Sequence, residues 1–251
     1  MRVCVQAAWA WRVTAGLALA TLLLLPASAR AAAGDIVLYP SDVSVIQGNW
    51  MRVASSSGVN GEKMYSDDRG WAATSAPLAA PADYFEATFT APANTPYRVW
   101  LRLRATNESK WNESVWVQFS DSVTAGGGAA YRIGTTSGLL LNLENCSGCG
   151  VSGWGWQDGA YWMARPGTIQ FPSSGSHRIR VQTREDGVQV DQIVLSPSAY
   201  LANAPGGLMN DTTVVPKGDT TPPPVSTGNS TPFNGFVAPI PGLLQAEGFD
   251  N

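Results

Sequence analysis

The side chains best able to do chemistry crowd into residues 146–162, CSGCGVSGWGWQDGAYW. Cys146 and Cys149 have the spacing of a redox pair, half of a zinc site or a small disulfide. A structural zinc ion takes about four nitrogen or sulfur ligands, and His177 is the chain's one histidine. A redox Cys-x-x-Cys opens a helix, which CSGCGVSGWG cannot become. The third cysteine, Cys4, precedes an apolar run that reads as an export signal. In an oxidising compartment the remaining pair most simply closes a local disulfide. So short a ring removes little unfolded-chain entropy, and its use is to hold the loop's shape.

Trp154, Trp156, Tyr161 and Trp162 of the same stretch are threaded with glycine, and Gln157, Asp158 and Arg165 lie nearby. Trp111, in RATNESKWNES, stands beside Asn112 and Glu113, and Trp71 follows the polar turn YSDDRG. A sugar ring presents an apolar face of C–H groups that a flat exposed aromatic covers, while Asn, Asp, Gln or Arg groups meet its hydroxyls. The candidate ligand-binding residues are therefore Trp111, Asn112, Trp154, Trp156, Gln157, Asp158, Tyr161 and Trp162. The alternative for the rings at 154–162 is a mini-core folded back under the disulfide.

Catalysis has little support. A glycosidase needs two carboxylates about 5 to 9.5 Å apart. Glu113, Glu144, Asp158, Glu185, Asp186 and Asp191 show no recognisable pairing, and Glu185-Asp186 reads as turn chemistry. No G-x-S-x-G nucleophile elbow is present.

The elements that must position these residues are strands. In YRVWLRLR (97–104) Tyr97, Val99, Leu101 and Leu103 alternate with Arg98, Trp100, Arg102 and Arg104, and HRIRVQTR (177–184) alternates in the same way. YFEATF, SVWVQF, LLLNL, TIQF and VQVDQIVL add short runs rich in β-branched and aromatic residues. Asp186-Gly187, between two such runs, predicts a hairpin. No segment of ten or more residues holds a 3.6-residue apolar period. The pattern predicts an all-β domain over residues 34–203, an antiparallel β-sandwich of jelly-roll type.

The flanks differ. Arg2 and Arg12, the apolar run Ala15 to Leu25 and the small residues after Pro26 predict a cleaved signal peptide over residues 1–33 and a secreted or cell-surface product. The run is shorter than a membrane span of about 20 residues, so no membrane partner is expected once it is removed. Without residues 1–30 the chain has 13 basic against 19 acidic residues and no Lys/Arg cluster. That balance is unsuited to nucleic acid. Residues 204–238, rich in Pro, Thr and Gly, predict a disordered linker. Residues 239–251 read as the start of a further strand, as in an N-terminal fragment of a longer protein.

Three stretches carry a family resemblance. KWNESVWVQF resembles the Asn-(Asp/Glu)-Ser-aromatic strand of galactose-binding-like jelly rolls, and SHRIRVQTREDGVQVDQIVLSP resembles their last hairpin. IPGLLQAEGFDN is similar to the first strand of a family 6-like carbohydrate-binding module. Residues 35–200 thus resemble galactose-binding-like modules of families 6 and 35, followed by the truncated start of a second module. The resemblance implies a non-catalytic, monomeric module that binds polysaccharide or oligosaccharide within a secreted glycan-active protein, one that carries its glycoside hydrolase elsewhere. It also implies structural Ca2+ at Asp191 and Asp42, and in the stub at Gln245 and Glu247. Against this, YPSD (39–42) stands where the family's first strand carries a carboxylate pair. The other class left open is a structural or adhesion module contacting protein. Glycan binding predicts an exposed aromatic platform beside polar groups, whereas adhesion predicts buried rings and a flat contact.

Overall fold

The computed structural model describes residues 29–218. Most of the expected leader, most of the expected linker and the whole second-module stub with Gln245 and Glu247 lie outside the described residues. Eleven strands form: β1 (Ile36–Leu38), β2 (Val43–Gln47), β3 (Trp50–Ala54), β4 (Glu62–Ser66), β5 (Tyr84–Ala91), β6 (Arg98–Ala105), β7 (Ser114–Phe119), β8 (Leu139–Asn142), β9 (Trp154–Gln157), β10 (Gly175–Thr183) and β11 (Val188–Ser196). Among the described residues the helical segments are three single turns of 3-10 helix, at Pro40–Asp42, Val59–Gly61 and Thr106–Glu108.

The strands make two antiparallel sheets, the jelly-roll sandwich that the alternation predicts. One sheet runs β3-β4-β11-β6-β9, with β1 also paired to β11; the other runs β2-β5-β10-β7-β8. Period-2 alternation sends one side of each strand into the space between them. Phe85 and Phe89 of β5, Leu101 and Leu103 of β6, Val117 and Phe119 of β7, and Ile179 and Val181 of β10 meet there. Each such burial stabilises the fold by about 1.5–3 kcal/mol. In β11 the phase slips: Val188 and Val190 face the core, then Ile193 and Leu195. A β-bulge between Val190 and Gln192 accounts for the slip and places Asp191 in the irregularity.

Three expectations are corrected. TIQF forms isolated bridges, Ile169 to Tyr97 and Gln170 to Val123, in place of a strand. The hairpin at Asp186-Gly187 does not form: β10 pairs with β5 and β7, while β11 pairs with β6, β4 and β1. β10 is buried mainly on one side, whereas β11 is buried along its whole length at the centre of the other sheet, beneath the second apolar cluster as well as against the core. Residues 184–187 are therefore a corner between sheets.

The domain also runs past residue 203. Residues 204–217 cross the outer face of the six-stranded sheet, where Val215 joins Val37, Tyr39, Trp100, Trp156, Val194 and Tyr200 in a second apolar cluster. The Gln192 side chain pairs with the Val215 backbone through two hydrogen bonds (2.6 and 3.0 Å). The Arg102 guanidinium donates to the Asp211 carbonyl (3.0 Å) and the Trp156 indole to that of Thr213 (3.1 Å). Composition marks this segment as linker because its partners are side chains of distant strands, which no local pattern reveals. At the other terminus the Arg30 backbone exchanges hydrogen bonds with the Tyr200 hydroxyl.

Candidate functional site

The structure divides the eight candidate ligand-binding residues among a buried strand and two separate surfaces. Trp154, Trp156 and Gln157 belong to β9, paired with β6 in the register Arg104–Trp154 to Leu101–Gln157. Trp156 is fully buried under residues 204–217, and Gly155 lies so close to them that a Cβ there would stand 2.0 Å from the Leu208 carbonyl. Trp154 is buried with the Arg102 guanidinium 5.0 Å from its ring. The Gln157 amide donates to the carbonyls of Leu143 and Leu208 (both 2.9 Å). These three are corrected: they form core and hold the 204–217 segment, because an edge strand covered by a further layer has no free face.

Beyond β9 the chain returns to the surface. Tyr161 and Trp162 are 42% and 50% exposed and stand edge to face, centroids 4.9 Å apart. Asp158 is held by Arg165 (2.7 Å) and Arg98 (3.7 Å). The Cys146–Cys149 disulfide forms, and the Glu144 carboxylate accepts from the Gly148 and Gly150 amides (3.0 and 3.4 Å), so the small loop is anchored to the end of β8.

Trp111 and Asn112 stand elsewhere, where the β4–β5 loop, the β6–β7 loop and the corner at 184–187 converge. A cleft of about 490 Å³ lies between them, lined by Asp68, Trp71, Trp111, Asn112, Glu185 and Asp186 among others. That volume is within the range of small-molecule sites. Trp111 is 67% and Trp71 41% exposed. Single exposed rings are ordinary, but here two line one cleft and form a joint apolar surface.

The corner builds this cleft. Asp186 is buried, and its carboxylate accepts the backbone N–H groups of Arg69 (2.5 Å) and Trp71 (3.1 Å), fixing the loop that presents Trp71. The Arg184 carbonyl accepts from Thr74 (2.9 Å), and the Thr74 hydroxyl takes the Trp116 indole N–H (2.9 Å). Glu185 accepts from the Glu113 amide (3.2 Å) and the Ser114 hydroxyl (2.7 Å) and pairs with Arg184, which fixes the start of β7. Gly187 has φ +74°, and a Cβ on it would fall 2.5 Å from the Asn112 side chain. The space that glycine leaves lets the buried Asn112 amide donate to Asp68 (2.9 Å) and to the Thr106 carbonyl (3.1 Å). Beneath, burial pushes the Glu113 carboxyl up to about 7, helped by the charges of Glu185 and Glu144 and opposed by the Glu144 amide.

Sequence reasoning placed Trp71 in a telling turn but left it out of the site. It missed Asp68 and read Glu185 and Asp186 as turn residues. The signal was the EDG corner together with a second loop tryptophan. What it lacked was that the corner crosses between sheets and meets the Trp71 loop.

The metal expectation does not fit these residues. Asp191 is buried against Arg102 (2.5 Å) and accepts the Val59 amide (2.9 Å), and its other oxygen, buried without a partner, is one donor where calcium takes six to eight. Burial pushes this carboxyl up to about 6 against the pull of Arg102. Asp42 is occupied by Lys217 (2.6 Å) and the Tyr39 amide (2.7 Å). Among the described residues no group of three or more His, Cys, Asp or Glu side chains is placed to hold a metal ion.

No protein-family model matches the chain, and no curated protein sequence matches it. Among solved structures it is similar to the GH26-CBM35 β-(1,4)-mannanase of Podospora anserina, at 10% identity and a TM-score of 0.42, over 66% of this chain and 28% of that one. It is similar to the C-terminal family 6 carbohydrate-binding module of a marine laminarinase from Zobellia galactanivorans, at 12% identity and 0.38, over 64% and 98%. A carbohydrate-binding module of Cellvibrio mixtus lichenase 5A, in complex with cellotriose, is similar at 13% identity and 0.35, over 65% and 98%. The chain thus spans under a third of the mannanase's length.

Proposed function

We propose that this chain is a non-catalytic carbohydrate-binding module of a secreted protein, and that it holds polysaccharide or oligosaccharide in the Trp71–Trp111 cleft. The observation that carries the reading is the convergence of two exposed tryptophans on one cleft whose floor is hydrogen-bonded into place. Flat rings cover the C–H face of a sugar, and the exposed Asp68 carboxylate, held by Asn112, lines the same cleft. Because the loops are fixed by buried carboxylates, little ordering entropy is lost when a ligand arrives. A binding role also accounts for the acids without catalysis: Glu185 and Asp186 are spent on backbone and hydroxyl donors.

The test is affinity electrophoresis of the full chain through a panel of soluble polysaccharides, repeated with Trp111→Ala and Trp71→Ala. Losing an aromatic anchor costs about 2 kcal/mol or more at a binding hot spot, which is about a thirtyfold loss of affinity. Retention of the parent chain with loss in both variants is the expected result. No retention of the parent, or retention unchanged in both variants, overturns the reading. A protein-contact role has one observation in its favour, the run Tyr161, Trp162 and Met163, all exposed. Binding to glycan that survives Trp111→Ala and Trp71→Ala but fails in Trp162→Ala would move the site there.

A further inference from the structure

We propose that the cleft discriminates by charge, taking neutral or amine-bearing sugars and rejecting uronates, with Asp68 as the residue that does the sorting. The inference rests on the glycan reading of the cleft and adds the class of sugar it accepts.

The titratable side chains that line the cleft are Asp68, Glu185 and Asp186; none of its lining residues is Lys, Arg or His. The three acids are not equivalent. Glu185 and Asp186 are buried, and their oxygens are held by donors of the protein. Asp68 is exposed. One of its oxygens accepts the Asn112 amide (2.9 Å) and the other the Gly70 N–H at a long 3.3 Å, so the carboxylate is held in place with acceptor capacity left over.

The nearby cations stand outside the lining of the cleft, although one of them, Lys110, lies over the ring of Trp111 itself. Arg184 pairs with Glu185, Arg69 lies 3.6 Å from Asp67, and the Lys110 ammonium sits 5.2 Å from the Trp111 ring centroid. A sugar stacked on Trp111 or Trp71 therefore meets an acceptor. Hydroxyl groups satisfy it, and an ammonium group satisfies it better and gains from the adjacent ring faces. A uronate brings a second carboxylate to a fixed one with no lining cation between them. Across a solvent-exposed cleft such a repulsion is worth about a factor of ten in affinity, and salt screens it.

The experiment uses the full chain and matched pairs of probes: oligosaccharides of β-glucose, β-mannose and β-galactose, each neutral and oxidised at C6 to the uronate. Titration calorimetry at low salt is expected to give each retained neutral probe about tenfold tighter binding than its uronate partner. That gap should close to within about threefold in Asp68→Asn, and also for the parent chain at about 1 M salt, where charges are screened within about 3 Å. The salt arm needs no variant, so a folding defect in Asp68→Asn leaves the proposal testable. Uronates binding as well as their neutral partners, with binding still lost in Trp111→Ala, overturn the charge sorting and leave the cleft intact. A gap unmoved by both salt and Asp68→Asn also overturns it, since the lost C6 hydroxyl then explains the difference. Binding of no probe by the parent chain overturns the cleft reading and this inference together.

Discussion

Replacing Gly187 with alanine puts a methyl carbon where the Asn112 carboxamide lies. The glycine has φ +74°, and the added Cβ would stand 2.5 Å from Asn112 Cγ and 2.6 Å from its Nδ2. The left-handed backbone costs a residue with a Cβ about 1–2 kcal/mol. The clash cannot be relieved by a flexible tip, since Asn112 is buried and short, so the side chain must leave its place. Its hydrogen bond to the exposed Asp68 is then lost, worth about 1 kcal/mol after solvent screening, with that to the Thr106 carbonyl, worth about as much. The expected destabilisation is about 3 kcal/mol, read by urea denaturation followed through tryptophan fluorescence. Glycan retention should fall as well, because Asn112 lines the cleft beside Trp111. In the double variant with Asn112→Ala the methyl group finds room, so the two losses should fall short of additive by at least about 1 kcal/mol. A loss under about 1 kcal/mol with unchanged retention, or strict additivity, would refute the view that this glycine makes space for the floor of the cleft.

Ending the chain after Asn203 removes Val215 and the partners of Trp156, Gln192 and Arg102, and opens the buried Arg102–Asp191 pair to solvent. That loss should approach the whole stability of a domain, about 5 kcal/mol or more; a circular dichroism melt within about 2 °C of the full chain would contradict it. Glu113 holds its proton up to about 7 in the fold against 4.5 unfolded. The folded state thus binds more protons between those values, and stability falls as pH rises through them, by on the order of 3 kcal/mol. Denaturation midpoints at about pH 6 and pH 8 should show part of this decline, and Glu113→Gln should reduce it, whereas the decline below about pH 6 that Asp191 adds should persist in the variant. Because Arg102 and Lys217 already meet the two carboxylates expected to hold calcium, melting temperatures with added Ca2+ and with chelator should coincide.

The alternation of HRIRVQTR was legible because a strand buried on one side writes its own period, and β10 follows it; YRVWLRLR keeps its core-facing phase in β6, but Trp100 and Arg102 on the other side are buried as well, beneath residues 204–217. The pairing Cys146–Cys149 followed from composition and the expected oxidising compartment, with no geometry needed. The β11 bulge and the fate of the D-G dipeptide were not legible. A two-residue turn signal is the same whether the following strand pairs with its predecessor or crosses to the facing sheet. Burial decides between them, and burial is a property of the whole sandwich. The tryptophans make the same point. Trp156 and Trp162 share one glycine-rich stretch and one residue type, yet one is fully buried and the other half exposed. The difference comes from residues 204–217, some fifty positions on, lying across β9 but not across 161–163.

By itself, then, the sequence determined the class of the fold and a pool of aromatic and polar residues from which a site could be drawn, because strand periodicity and side-chain chemistry are local. Only the tertiary structure decided which of those residues share a surface. It joined Trp71, from a loop left out of the site, to Trp111 forty residues later, and turned Glu185, Asp186 and Gly187 from a turn into the frame of a cleft. The physical reason is that a cleft is made by loops of distant strands converging at one end of the sandwich, and that convergence is set by sheet pairing across the core, not by spacing along the chain.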